Sequence, residues 1–186
     1  MKSLIDHPAT TLTWQRSGFS PPDFELVGQA GVFATLGFLD DDHTLVRART
    51  AEGDWTLKHL GILTPAVTLR EIGGKDNLAI FHPHLLRHGK LQFADGPVFE
   101  WAWHRGAEAG GAFLDPGGKP LLRLRVRPGT PPGSAGDLER CEVELVPTAL
   151  TRSRTALLAA FGWFLILFDH MKEKDAAASA DMALRI

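Results

Sequence analysis

Four basic residues carry the clearest chemical signal in this chain. Arg47 and Arg49 share one parity within Thr44–Thr50. Lys58 is opposite in parity to Trp55 and Leu57, and Arg70 is opposite to Val67 and Leu69. If these three segments are consecutive antiparallel strands, all four cations point away from the core and form one patch. Arginine forks match the geometry of phosphate and carboxylate, so such a patch suits a phosphate-bearing ligand or an anionic lipid head group. The same cations would also arise on any solvated strand face.

Other reactive side chains are less well grouped. Arg123, Arg125 and Arg127 form a second stripe, whose expected partners are Glu142 and Glu144 on the following strand, as cross-strand ion pairs. Binding of nucleic acid would need that stripe unpaired and flanked by exposed aromatics, and Trp101 and Trp103 alternate as core residues. His82, His84 and His88 could be zinc ligands, but no cysteine lies near them and no fourth ligand is fixed. Asp40, Asp41, Asp42 and His43 could gather calcium, yet they lack the spacing of an EF-hand loop and fit a hairpin turn better. Cys141 lies on an apparent core face and reads as a small buried hydrophobe. The sequence has no Gly-x-Ser-x-Gly elbow, phosphate loop or dinucleotide fingerprint. The expectation is therefore a non-enzymatic protein with no cofactor and no metal.

These residues sit on a chain of short strands. Candidate strands are Thr10–Ser17, Phe24–Val27, Gly31–Leu39, Thr44–Thr50, Trp55–Leu60, Ala66–Ile72, Asn77–His82, Lys90–Ala94, Val98–His104, Gly111–Leu114, Leu121–Val126 and Glu139–Val146. Turn residues separate them, including Asp95-Gly96, Gly73-Gly74 and Asp115-Pro116-Gly117-Gly118. Arg127–Gly136, rich in Pro and Gly, reads as an exposed loop. Alternation is plain in Phe99/Trp101/Trp103, in Leu122/Leu124/Val126 and in Cys141/Val143/Leu145, as antiparallel strands with one dry face require.

After the strands comes Ala156–Phe168, thirteen residues without a charge. A run of this length is more often a buried core helix than a membrane span, which needs about 20 apolar residues. Arg152 and Arg154 bound it on one side and Asp169, Lys172, Glu173 and Lys174 on the other. A helix apolar all round must be buried all round. A flat sheet covers one side of it; a closed barrel covers every side and leaves no strand edge exposed. Burying its nine large side chains contributes on the order of 15–25 kcal/mol, an upper bound. Gly162, inside the run, predicts a barrel side chain pressed against the helix backbone. The expectation is a mostly β, single-domain fold over residues 1–186: about twelve antiparallel strands in a barrel around a C-terminal helix at about 150–174.

Composition sets bounds. Hydrophobic residues make up 44% and charged residues 23% of the chain, and the formal net charge is −2, so no whole-molecule field favours nucleic acid or anionic membranes. One cysteine excludes an internal disulfide and favours a reducing compartment. The first residues lack the apolar stretch of a secretory signal, and the Ala-, Gly-, Leu- and Arg-rich composition without Tyr suggests a bacterial origin.

About twelve strands followed by a hydrophobic C-terminal helix resembles the tubby-like superfamily: tubby C-terminal domains, LURP-one-related proteins and phospholipid scramblases. Local phrases look similar too, namely Asp54-Trp55-Thr56-Leu57-Lys58, Gly61-Ile62-Leu63 and Phe113-Leu114-Asp115-Pro116-Gly117-Gly118. The resemblance implies binding rather than catalysis, as tubby domains hold phosphoinositide head groups through surface cations. The expectation is a cytoplasmic binding protein, peripheral to the inner membrane, for anionic lipid head groups or a protein partner; strand parity, and no motif shared with the family, makes Arg47, Arg49, Lys58 and Arg70 its ligand-binding residues. The alternatives are a nucleic-acid-binding module and a membrane-anchored protein that inserts residues 156–168.

Overall fold

In the computed structural model, twelve antiparallel strands close into a barrel with one long helix inside it. The strands are β1 (Thr11–Arg16), β2 (Asp23–Gly28), β3 (Gly31–Phe38), β4 (Leu45–Thr50), β5 (Gly53–Leu60) and β6 (Ala66–Glu71). They continue as β7 (Ala79–Pro83), β8 (Gly89–Phe93), β9 (Val98–His104), β10 (Gly110–Leu114), β11 (Pro120–Val126) and β12 (Arg140–Leu145). Each pairs with its sequence neighbour, and β1 also pairs with β12, Trp14 opposite Cys141, so no strand edge remains. The structure describes residues 1–17, 23–61, 65–84, 87–104, 109–126, 138, 140–150 and 153–183. Of the sequence expectations, Arg127 and the loop beyond it, Arg152, and Ile62-Leu63 lie outside these residues.

The alternating inner faces make the core. Trp14, Phe33, Leu57, Leu69, Leu91, Phe113, Leu122 and Val143 are all essentially inaccessible. The helix, α1, spans Thr155–Ala183, and every residue from Thr155 to Phe168 is buried. Trp163 stacks on Trp14 with ring centres 6.5 Å apart and meets Phe24 edge-on at 5.5 Å. Phe161 packs between Phe81 and Phe113, 5.8 and 6.3 Å away. At Gly162 the wall comes close to the helix backbone. A methyl group there would lie 2.9 Å from Leu124 Cδ1 and 3.0 Å from the Trp101 ring. By length and composition α1 could cross a membrane, but 72% of its apolar window is enclosed by the chain's own strands.

The helix starts later than the expected 150 and continues past Lys174. Pro147 opens a short 3-10 turn, Pro147–Ala149, and Arg154, at φ 71°, redirects the chain before α1 begins. Beyond Lys174 the alanine-rich sequence keeps helical geometry although it is exposed, because alanine loses no side-chain entropy there.

Two arginines with left-handed backbone fix the helix. At its N-terminus the Arg154 amide donates to Glu52 Oε2 at 2.7 Å. The Arg154 guanidinium donates to both Asp95 oxygens at 3.0 and 2.7 Å and covers the Phe93 ring at 4.8 Å. The Thr155 hydroxyl donates to the Ala149 carbonyl at 2.7 Å. At the opposite end of the barrel, midway along α1, Arg87, φ 65°, pairs with Asp169 and Glu173 and lies over the Trp103 ring.

Candidate functional site in the barrel mouth

The predicted basic patch is assembled as the parity argument requires. β4, β5 and β6 are adjacent, with Thr56 opposite both Arg47 and Arg70, Asp54 opposite Arg49, and Lys58 opposite Leu45 and Thr68. Val46, Ala48, Trp55, Leu57, Val67 and Leu69 fill the core from the same strands, so Arg47, Arg49, Lys58 and Arg70 share the outer face. Asp54, however, stands among them. Arg47 Nη2 reaches Asp54 Oδ2 at 2.6 Å and Arg49 Nε reaches Oδ1 at 3.3 Å. Arg70 Nε donates to Asn77 Oδ1 at 2.6 Å. Among the described residues, Lys58 alone of the four has no such partner. The patch is outward and adjacent, but three of its cations already hold intramolecular acceptors.

The other candidates resolve into structure. Arg123 and Arg125 lie opposite Glu144 and Glu142, and Arg125 pairs with Glu144 at 3.1 Å, the expected cross-strand arrangement. Asp40 closes the β3–β4 turn, accepting from the Thr44 and Leu45 amides at 2.9 and 3.0 Å and from the Thr44 hydroxyl at 2.6 Å. Burial pushes the Asp40 carboxyl up, but these hydrogen bonds outweigh it and hold the carboxyl below its ordinary value. The His84 amide donates to the His88 carbonyl in the β7–β8 turn. Among the described residues no three His, Cys, Asp or Glu side chains are grouped to hold a metal ion. Cys141 is fully buried, and desolvation pushes its thiol well above the ordinary value, which favours the protonated form.

A second feature was not legible in the sequence. Where α1 leaves the barrel, the described residues line a cavity of about 870 Å³. Its lining is graded. Phe24, Phe38, Leu167 and Phe168, each under a tenth exposed, form the apolar part, with half-buried Leu138 and Met171 beside them. Next come three imidazoles, His43, His59 and His170, all half-buried. Arg16, Lys172 and Lys174 supply positive charge, against Asp42 and Asp175.

Each polar group is positioned by the fold. His43 takes a left-handed backbone (φ 56°) in the turn that Asp40 caps, and its ring meets the edge of Phe38 at 4.8 Å. His59, near the end of β5, stacks on Phe168 at 4.2 Å. Burial, reinforced by the charge of Lys172, lowers its pKa below the ordinary histidine value, so the ring is neutral at pH 7. Lys172 lies one helical turn beyond Phe168, with Nζ 4.4 Å from that ring's centre. His170 Nε2 is buried without a hydrogen-bond partner among the described residues.

The sequence offered only one sign of this site: the abrupt change after Phe168 from apolar residues to Asp169-His170-Met171-Lys172. The other contributors come from β1, the β3–β4 turn and β5, which no local motif connects. Comparison of the chain with protein-family models, with curated proteins and with solved structures finds no match.

Proposed function

We propose that this protein is a non-catalytic binding domain that recognises an anionic head group, of the kind carried by acidic lipids, at the mouth of its barrel. The supporting observation is the graded cavity: an apolar floor, half-buried imidazoles and three cations against two carboxylates. A concave, mostly apolar site with a few convergent polar groups is the usual form of a small-ligand site. The tubby-like resemblance adds to this reading, since barrel and central helix agree with it, and its lipid-binding members supply the analogy for an acidic lipid. The outer patch of Arg47, Arg49, Lys58 and Arg70 is the second location for such a head group. The proposed setting is the cytoplasm, at the inner face of the membrane.

Co-sedimentation with vesicles tests the reading. Binding to vesicles containing phosphatidylglycerol, and not to pure phosphatidylcholine, is expected at low salt, and weakening as salt rises. Equal behaviour toward both compositions would reject it. Replacing Arg16, Lys172 and Lys174 together with Gln should abolish the preference for the acidic vesicles. Replacing Arg47, Arg49, Lys58 and Arg70 should leave it largely intact; the reverse result moves the site to the outer patch.

A further inference from the structure

Resting on the mouth as the binding site, we infer that its ligand is a single-chain amphiphile, one apolar chain ending in one anionic group, taken up as a single molecule with the chain inward. The head-group reading alone does not call for the inner part of this cavity. A bare phosphate or sulfate would be served by Arg16, Lys172 and Lys174 at the rim. Phe24, Phe38 and Leu167 offer such an ion nothing, yet they help to line the same continuous space as those cations. The volume of about 870 Å³ lies in the range of sites that enclose small organic ligands.

The order of the lining sets the ligand's orientation. Buried aromatic rings meet the chain. Imidazoles at half depth, those of His43, His59 and His170, can hydrogen-bond to the first oxygen of the head. Lys172, exposed at the rim and beside the Phe168 ring, places a positive charge where the chain ends and the head begins. A chain without a charge would forfeit the rim, and a charge without a chain would forfeit the floor.

Titration calorimetry with monomeric alkanesulfonates tests this, because their charge does not change with pH. Saturable one-to-one binding of 1-dodecanesulfonate is expected, with methanesulfonate at least ~100-fold weaker and 1-dodecanol at least ~10-fold weaker. Along the homologous series, affinity should rise by up to about fourfold per methylene and then level off when the chain outgrows the cavity. Met171→Glu should reduce dodecanesulfonate affinity at least ~10-fold in protein that still melts cooperatively, and Lys172→Gln, on an exposed residue, should reduce it ~10-fold at an unchanged melting temperature. Methanesulfonate binding as tightly as dodecanesulfonate would overturn the chain inference while leaving the anionic head-group reading intact. Dodecanol binding as tightly as dodecanesulfonate would overturn both. Unchanged affinity in both variants would overturn the location.

Discussion

The two ends of the barrel treat the same helix in opposite ways. At the N-terminal end of α1, polar groups satisfy one another: Arg154 engages Glu52 and Asp95, Thr155 engages Ala149, and Phe93 lies beneath the guanidinium. The Asp95 carboxyl is held below its ordinary value chiefly by that guanidinium. At the other end Arg87 secures one side of the helix, and the remainder opens onto aromatic faces and imidazoles. An end whose donors and acceptors are mutually engaged has little left for a ligand. An end lined by aromatic rings, imidazoles and cations presents groups that a ligand can meet. The same plug is thus anchored at one end and presents a site at the other.

Perturbations should separate the two roles. The largest effect belongs to the plug itself, on which both ends depend. Trp163→Ala, between Trp14 and Phe24, should cost about 3–5 kcal/mol in urea unfolding and remove binding and stability together. Next is Lys172→Gln, which should lower anion affinity about tenfold by calorimetry with the melting temperature retained. Its mirror image is Arg154→Gln, which should lower the melting temperature modestly and leave anion affinity unchanged. If both variants changed both properties, the division between anchor and site would fail.

A smaller effect concerns pH. His59 in the fold has a pKa below its ordinary value of 6.5, so on acidification the unfolded chain takes up this proton first. Its contribution to stability is complete above about pH 6.5 and is lost as pH falls toward the folded-state value. Melting curves of His59→Gln should be flatter than wild type between pH 7 and 5; an identical slope would remove His59 from this role. The smallest effect is chemical. Cys141 should stay unreactive toward a thiol reagent in the native protein and react fully in urea.

The sequence revealed what periodicity can encode. Alternation in Phe99/Trp101 and Cys141/Val143 specified dry inner faces, and the uncharged run after β12 required an enclosure. Gly162 marked a close contact between wall and plug, which Leu124 and Trp101 make. Parity also placed Arg47, Arg49, Lys58 and Arg70 on one face. It did not expose Asp54 as their neutralising neighbour, although Asp54 lies in the quoted segment, because diagonal reach across strands depends on register. The helix start was misplaced because a left-handed non-glycine residue, Arg154, leaves no compositional trace. The mouth was illegible for a more general reason. Its walls come from residues 16, 24, 43, 59 and 170, which only barrel closure brings together.

The pairing of β1 with β12 has a consequence for biogenesis. Translation produces every stave before the filling they surround, and the seam between first and last staves cannot be sewn until the final strand has left the ribosome. During that interval Trp14, Phe33 and Phe113 have no α1 to pack against. Folding of this chain is therefore a late, long-range event, and a nascent barrel would be a natural client for chaperones that shield greasy surface.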